Sequence, residues 1–352
     1  MNNRRKNLSL LIKPASSLCN LNCRYCFYKD EASKRNIASH GIMGFETAEQ
    51  IIDEAFKTAR SCSFTFQGGE PCLAGLDYYE HFINYVNSIM EPCDSVSYSI
   101  QTNGTLIDGE WAEFFFRNSF LVGLSLDGTK AIHEKLRGTG TYNQVLNAAS
   151  LLKKHRVDFN ILTVVTDTVS EKAREIYSFY KRKGFNVQQY IPVLEPYGEE
   201  GSERDYSLEP EKYGKFLIEL WDLWYADAMT SSPVSIRYFE NLYRMMRGLP
   251  AEQCGLSGRC SLQYVTESDG SVYPCDFYCM DDYCLGNITE KSFDEIDKAE
   301  KQLGFTHKSR VISAECKKCP HILLCRGGCR REFNSSGKTM FCESYKMLFG
   351  HI

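Results

Sequence analysis

From Leu8 to about Val193 the chain repeats one pattern: a short run rich in β-branched and aromatic residues, then a longer segment whose apolar positions recur every three to four residues. This alternation predicts βα units around a parallel sheet. Six strands are expected, at Leu8–Lys13, Cys62–Gln67, Val96–Gln101, Leu121–Leu126, Phe159–Val165 and Val187–Val193, with a helical segment after each of the first five. The clearest helix is Thr47–Arg60, with Thr47 as N-cap and Ile51 and Ala55 on its apolar face. Between about Gly198 and Asp205 the composition turns to Gly, Ser and charge, which reads as a loop before two helical stretches, Glu209–Met229 and Ile236–Arg247. Beyond Ala251 the elements shorten, and Asp269-Gly270 predicts a hairpin between Tyr264–Glu267 and Ser271–Tyr273. The expected organisation is an α/β domain over residues 1–197, a linker with helices over 198–250, and a small Cys-rich domain over 251–352.

In parallel α/β sheets ligands gather at the carboxyl ends of the strands. The loops there are the Cys19 to Cys26 segment, Gly68-Gly69-Glu70-Pro71, Thr102-Asn103-Gly104 and Asp127-Gly128.

Composition narrows the function. With 352 residues, 43% of them hydrophobic, the chain has the make-up of a globular protein. No stretch approaches the ~18 apolar residues of a membrane span, and Arg4-Arg5-Lys6 precedes no signal-peptide core. These three charges read as a solvated tail, and the chain as a cytoplasmic protein that binds no membrane. A net charge of -4 with a pI near 6.0 also argues against a grip on nucleic-acid phosphates. The number that changes the picture is 16 cysteines. In a reducing cytosol they point to metal ligation rather than disulfides. Zinc and iron–sulfur clusters both take thiolates, so the motifs have to separate them.

Cys19, Cys23 and Cys26 sit on one short loop, at a spacing that lets the backbone curl around three irons of a cubane. The fourth iron is then free. The alternative is a zinc loop lacking its fourth ligand. Cys19-Asn-Leu-Asn-Cys23-Arg-Tyr25-Cys26-Phe-Tyr28 resembles the signature of the radical S-adenosylmethionine (SAM) superfamily. That resemblance implies a partial (β/α)6 barrel with SAM on the open iron and Tyr25 in the cofactor-binding loop. Gly68, Gly69 and Glu70 resemble the motif that receives the SAM amino group, the glycines allowing close approach and Glu70 offering charge. Ser125, Asp127 and Arg137 resemble further SAM contacts, to ribose and carboxylate; ordinary loop polarity is the competing account.

Cys254, Cys260 and Cys275, then Cys316, Cys319, Cys325, Cys329 and Cys342, supply eight more thiolates, enough for two four-iron clusters or two zinc ribbons. Their arrangement resembles a SPASM domain. The resemblance implies interleaved ligation: Cys254, Cys260, Cys275 and Cys329 on one auxiliary cluster, and Cys316, Cys319, Cys325 and Cys342 on the other. Three [4Fe-4S] clusters in all are expected. Cys62, Cys72, Cys93, Cys279 and Cys284 read as structural, buried thiols.

Over almost its whole length the chain resembles the anaerobic sulfatase-maturating enzymes. The stretches that carry this are Leu11 to Ser17, Phe66 to Pro71, Gln101 to Asp108, Val234 to Phe239, Glu267 to Tyr278 and Cys325 to Arg331. The family oxidises a Cys or Ser of an unfolded sulfatase to Cα-formylglycine, so the resemblance implies a partner polypeptide with a C/S-x-P-x-R motif. In the implied mechanism a radical from SAM takes a hydrogen atom from the substrate's Cβ. A base then takes a proton, and an auxiliary cluster accepts an electron. Asp276, beside Cys275, is the implied base; Tyr28, Gln67, Thr102, Asn103 and Arg237 are candidate peptide or SAM contacts. A ferredoxin or flavodoxin would donate electrons to the chain, which is expected to act as a monomer.

Two features depart from the family pattern. The segment Arg137 to Tyr142 is short, and the chain stops ten residues after Cys342, without the family's extra C-terminal helix. Other readings stay open: another SPASM peptide maturase, such as one forming thioether crosslinks, or an iron–sulfur electron carrier. A carrier would not need the Gly68 to Pro71 motif.

Overall fold

The computed structural model describes residues 4–352 apart from 200, 202–203 and 231–232, so parts of the terminal tail and of the 198–205 loop lie outside the described residues. One ten-stranded sheet runs β10-β9-β8-β1-β2-β3-β4-β5-β6-β7. Strands β1 (Arg5–Ile12), β2 (Ala59–Phe66), β3 (Ser95–Thr102), β4 (Leu121–Ser125), β5 (Phe159–Val165), β6 (Val187–Pro192) and β7 (Ser235–Ile236) are parallel. The six expected strands are β1 to β6. The seventh, two residues long, falls where a linker and a helix start were expected; it is too short for a periodicity signal.

The strand pattern explains the layers. Leu8, Leu10 and Ile12 align with Cys62, Phe64 and Phe66 and are buried, as are Ile100, Val122, Leu124 and Ile161 on the neighbouring strands. Against this face pack α2 (Phe45–Thr58), α3 (Leu76–Ile89), α4 (Gly109–Arg117), α5 (Lys130–Arg137), α6 (Thr141–Lys154) and the helices that follow, while α1 (Phe27–Ser33) lies at the other face, where Glu31 meets Lys13. Phe66, Tyr79, Phe82 and Phe120 interlock edge-to-face and stacked, the geometry that aromatic quadrupoles favour. Alternate residues face the other way and are polar: Ser63 Oγ meets Ser97 Oγ at 2.8 Å and Thr65 Oγ1 meets Ser99 Oγ at 2.9 Å.

Three expectations are corrected. The helix expected at Thr47–Arg60 is α2, Phe45–Thr58, capped at Gly44; Thr47 lies inside its first turn, and Ala59 and Arg60 belong to β2, where Ala59 pairs with Arg5. Arg4 and Arg5 are not a solvated tail. Arg4 donates to Phe56 O at 3.0 Å and meets Glu91 at 2.8 Å, while Arg5 meets Asp294 and Asp297 at 2.7 Å each, tying β1 to the far end of the chain. Of the five cysteines read as structural, Cys62, Cys72 and Cys279 are buried but Cys93 and Cys284 are exposed. The residues after Cys342 form the helix Cys342–His351, which packs Met347 against Gly214 of the helix Pro210–Ala228.

The Cys-rich part of the chain is built into the sheet. β8 (Val265–Thr266) and β9 (Ser271–Tyr273) form the expected hairpin, with β10 (Gly286–Asn287) beside β9. Yet β8 also pairs in parallel with β1, Leu11 opposite Val265, and Lys13 N donates to Thr266 O at 2.8 Å. This pairing brings Cys275 and Asp276 to the carboxyl end of β1. No helix among the described residues is long and apolar enough to cross a membrane.

Candidate active site

The loop after β1 is held by backbone contacts to the turn after β2. Glu70 N donates to Leu18 O at 2.7 Å, and a Cβ on Gly69 would stand 2.1 Å from that same oxygen. Gly69, at φ +54°, therefore admits the cysteine loop itself. Burial raises the Cys19 thiol and pushes Cys23 up to about 11, against the pull of Arg137, and the nearby Cys26 sulfur adds to both. A bound cation would supply the missing positive charge and deprotonate them. A cavity of about 690 Å³ opens beside Cys23 and Cys26, edged by Arg24, Lys29, Asp30 and Glu199, within the ~300–1,000 Å³ common for ligand sites.

The later cysteines gather in two sets. Cys329 faces Cys260 and Cys254, and Cys275 faces Cys329 and Cys260. Cys325 faces Cys342, Cys316 and Cys319, and these four line one cavity. Zinc holds its thiolates at ~2.3 Å, which puts the sulfurs about 3.8 Å apart. Among the described residues no three cysteine sulfurs lie within 4.8 Å of one another. That wider spacing fits sulfurs bound to different irons of a cubane, so the donor sets suit iron–sulfur clusters and not single zinc ions.

Several residues expected to touch SAM make bonds within the protein. Glu70 is fully buried and accepts from Cys72 N at 3.0 Å, Thr102 Oγ1 at 2.7 Å and Asn103 N at 2.8 Å. Its carboxylate ties β2 to β3 through Thr102, which is also buried. Asp127 is likewise fully buried: Tyr25 donates its hydroxyl to Oδ2, Arg137 Nε donates to Oδ2 at 2.7 Å, and Val164 N donates to Oδ1 at 3.0 Å. It orients Tyr25 and Arg137. Arg137, stacked over the Tyr25 ring at 5.4 Å, lies beside the cysteine loop, and half-buried Ser125, at the end of β4, accepts from Gln101 Nε2 at 3.1 Å. Asn103 Nδ2 is held by Asn20 Oδ1 at 2.9 Å and lies 3.9 Å from Cys19 Sγ.

Asp276 is 5% exposed and sits in a network that sequence reading found only in part. Its Oδ2 accepts from Tyr28 Oη at 2.7 Å and Gln67 Nε2 at 3.0 Å, and Gln67 also donates to Tyr28 at 2.8 Å. Oδ1 has no hydrogen bond of normal length and faces Lys13 Nζ at 3.5 Å. Lys13, Glu31, Arg35 and Glu267 were missed. Lys13 is buried, with Nζ 3.6 Å from Glu267 and 3.8 Å from Glu31, while Arg35 meets Glu267 at 2.5 Å. Burial lifts Asp276 above its ordinary range, against the pull of Lys13 and the Tyr28 hydroxyl. Burial alone would lower the Lys13 pKa, but Cys279, Asp276, Glu31 and Glu267 hold it well above normal. The signal available in sequence was phase: Lys13 follows Ser9 and Leu11 on the side of β1 that faces away from the helices.

Arg237 stands at the carboxyl end of β7, exposed and without an ion pair or side-chain hydrogen bond among the described residues. It is on the same rim as the loops after β1 to β4.

A parallel partial barrel with a three-cysteine loop after its first strand, joined to a domain holding two four-cysteine sets, defines a radical SAM enzyme with a SPASM domain. The radical SAM superfamily profile matches residues 14–180, and that of the iron–sulfur cluster-binding SPASM domain matches residues 258–320. The cysteine-type anaerobic sulfatase-maturating enzyme of Clostridium novyi is 45% identical over 98% of this chain and 95% of its own. The serine-type enzyme of Bacteroides thetaiotaomicron is 30% identical over 99% of this chain and 90% of its own. Native anSMEcpe solved with bound AdoMet and Kp18Cys peptide superposes with a TM-score of 0.92 at 44% identity, covering 98% of this chain and 96% of that one. The chain belongs to the anaerobic sulfatase-maturating enzymes. Streptococcus suis SuiB, at 17% identity and a TM-score of 0.66, shares the fold.

Proposed function

We propose that the chain oxidises a cysteine in a C-x-P-x-R segment of an unfolded sulfatase to Cα-formylglycine. The observation that carries this reading is Asp276: a buried carboxylate with one oxygen free of normal hydrogen bonds, one residue from Cys275 and bonded to Tyr28 and Gln67 of the barrel. The higher identity to cysteine-type relatives, 45% against 30%, supports cysteine over serine.

When bound, the groups supply two one-electron steps: reductive cleavage of SAM to a radical that takes a hydrogen atom from the substrate's Cβ, and acceptance of the electron left after the thiol proton departs. The residues do the rest. Cys19, Cys23 and Cys26 hold the SAM cluster; the Gly68 to Glu70 turn and Asp127, through Tyr25 and Arg137, shape its surroundings. Tyr28 and Gln67 fix Oδ2 of Asp276, leaving Oδ1 to take the thiol proton. Water then converts the thioaldehyde to aldehyde and hydrogen sulfide. Arg237 and Asn103, on the rim, contact the peptide.

We place the enzyme in the cytoplasm, since none of the sixteen cysteines is paired in a disulfide, as a reducing compartment would keep them, and read it as a monomer supplied by a ferredoxin or flavodoxin. The test is an anaerobic incubation with SAM, reductant and a Cys-x-Pro-x-Arg peptide. The mass change that turns CH2SH into CHO is expected. Ready SAM cleavage beside unchanged peptide would overturn the substrate assignment, and a thioether product would move the chain to another peptide-modifying activity.

A further inference from the structure

Lys13 is an unusual residue for the inside of a protein. Transferring an ammonium from water is costly, and it is tolerated only where opposite charge surrounds it. Three carboxyl groups stand around it here: Asp276 from the turn after β9, Glu267 from the β8–β9 turn and Glu31 from α1, at 3.5, 3.6 and 3.8 Å. The stem is clamped as well. Gly68 has φ +118°, and a Cβ there would stand 2.6 Å from Lys13 Cγ. The same glycine that opens the turn toward Glu70 therefore leaves the room that Lys13 occupies, and the Tyr28 ring lies 4.9 Å from Nζ.

The charges around Lys13 divide unevenly. Arg35 is committed to Glu267 at 2.5 Å. Glu31 is lifted by burial to about 8, although Lys13 pulls it down, so at neutral pH it is a neutral acid. Tyr28 donates to Oδ2 of Asp276, and Cys279 is a buried thiol whose pKa burial raises well above normal. The Lys13 ammonium is then shared between Glu267, which Arg35 also holds, and Oδ1 of Asp276, which no other cation among the described residues meets.

We propose that Lys13 is the positioning residue of the reaction, its ammonium holding Oδ1 of Asp276 in the orientation from which it takes the substrate's proton. This rests on the proposed function, with Asp276 as base. A base within reach but misaimed loses most of its advantage, because proton transfer depends on geometry first. The proton goes from the substrate thiol to Oδ1; Lys13 stays protonated throughout and exchanges nothing.

The experiment uses the cluster-loaded enzyme with SAM, reductant and the Cys-x-Pro-x-Arg peptide. Lys13→Met keeps the stem beside Gly68 and removes the charge. Its expected result is 5'-deoxyadenosine production within about twofold of the parent, and a fall of roughly 100-fold in kcat for aldehyde with the peptide KM changed less than about threefold. Iron content and thermal midpoint are read on the same samples. If Lys13→Met does not hold its clusters, Glu31→Gln decides. In the parent, Glu31 ionises above pH 8 and competes for the ammonium, so the yield of aldehyde per deoxyadenosine falls there; in Glu31→Gln that alkaline fall disappears. Asp276→Asn separates the failures. If it is fully active, the base assignment falls and this inference with it. If it forms no aldehyde while Lys13→Met stays coupled, or while Glu31→Gln keeps the alkaline fall, Lys13 does not position the base and the proposed function stands.

Discussion

Glu31 gives the charge cluster a measurable pH signature. In the unfolded chain its carboxyl titrates near the usual 4.5, and burial raises it to about 8 in the fold. Below 4.5 both states carry the proton. Between 4.5 and 8 only the folded state does, so unfolding releases a proton and stability falls as pH rises through that window. From pH 6 to pH 8 the loss from this one group is about 2 kcal/mol, less than the full shift because the folded-state carboxyl is itself half ionised at the upper end. For a chain of this length that corresponds to roughly 3 °C in thermal midpoint. The measurement is anaerobic calorimetry of the cluster-loaded protein at the two pH values and one scan rate, for the parent and for Glu31→Gln. The amide cannot titrate, so the variant's midpoint should fall less than the parent's by about that amount. Equal shifts in both proteins would refute the buried neutral acid, and with it the assignment of the Lys13 charge to Asp276.

Three other outcomes follow from the geometry. Asp127→Asn removes the counter-charge of buried Arg137 and one anchor of Tyr25; SAM binding by equilibrium dialysis should weaken at least about tenfold, and the fold should lose about 3–5 kcal/mol. Gly69→Ala drives a methyl into Leu18 O, so reconstituted iron should fall by about one third while the two auxiliary sets remain. The grouping of the later cysteines is tested by paired variants: Cys275→Ala with Cys329→Ala should cost one cluster's iron, and Cys325→Ala with Cys329→Ala two; equal loss from both pairs would contradict it.

The strands and the cysteine loop were legible because both signals are local. Alternating apolar residues set β1 to β6 within a few residues, and the loop carries its ligands within eight positions of sequence. Lys13 and Glu31 were not legible as a pair. Each is an ordinary charge until β8 pairs with β1, a two-residue contact between segments some 250 residues apart, and brings Asp276 to them. Glu70 and Asp127 were legible as members of a ligand-binding motif, but the backbone N–H groups and the arginine that hold them inside the fold were not, because those donors come from other strands and helices. Arg237 could be read from sequence only as a charge near a helix start; β7 places it on the rim.

The most direct test sets Asp276→Asn beside the parent, both loaded to the same iron content, with the Cys-x-Pro-x-Arg peptide and SAM. The parent should form one aldehyde for about each deoxyadenosine, and the variant deoxyadenosine with almost no aldehyde, since the thiol proton has no acceptor. Aldehyde at the parental rate from Asp276→Asn would contradict the account at its centre.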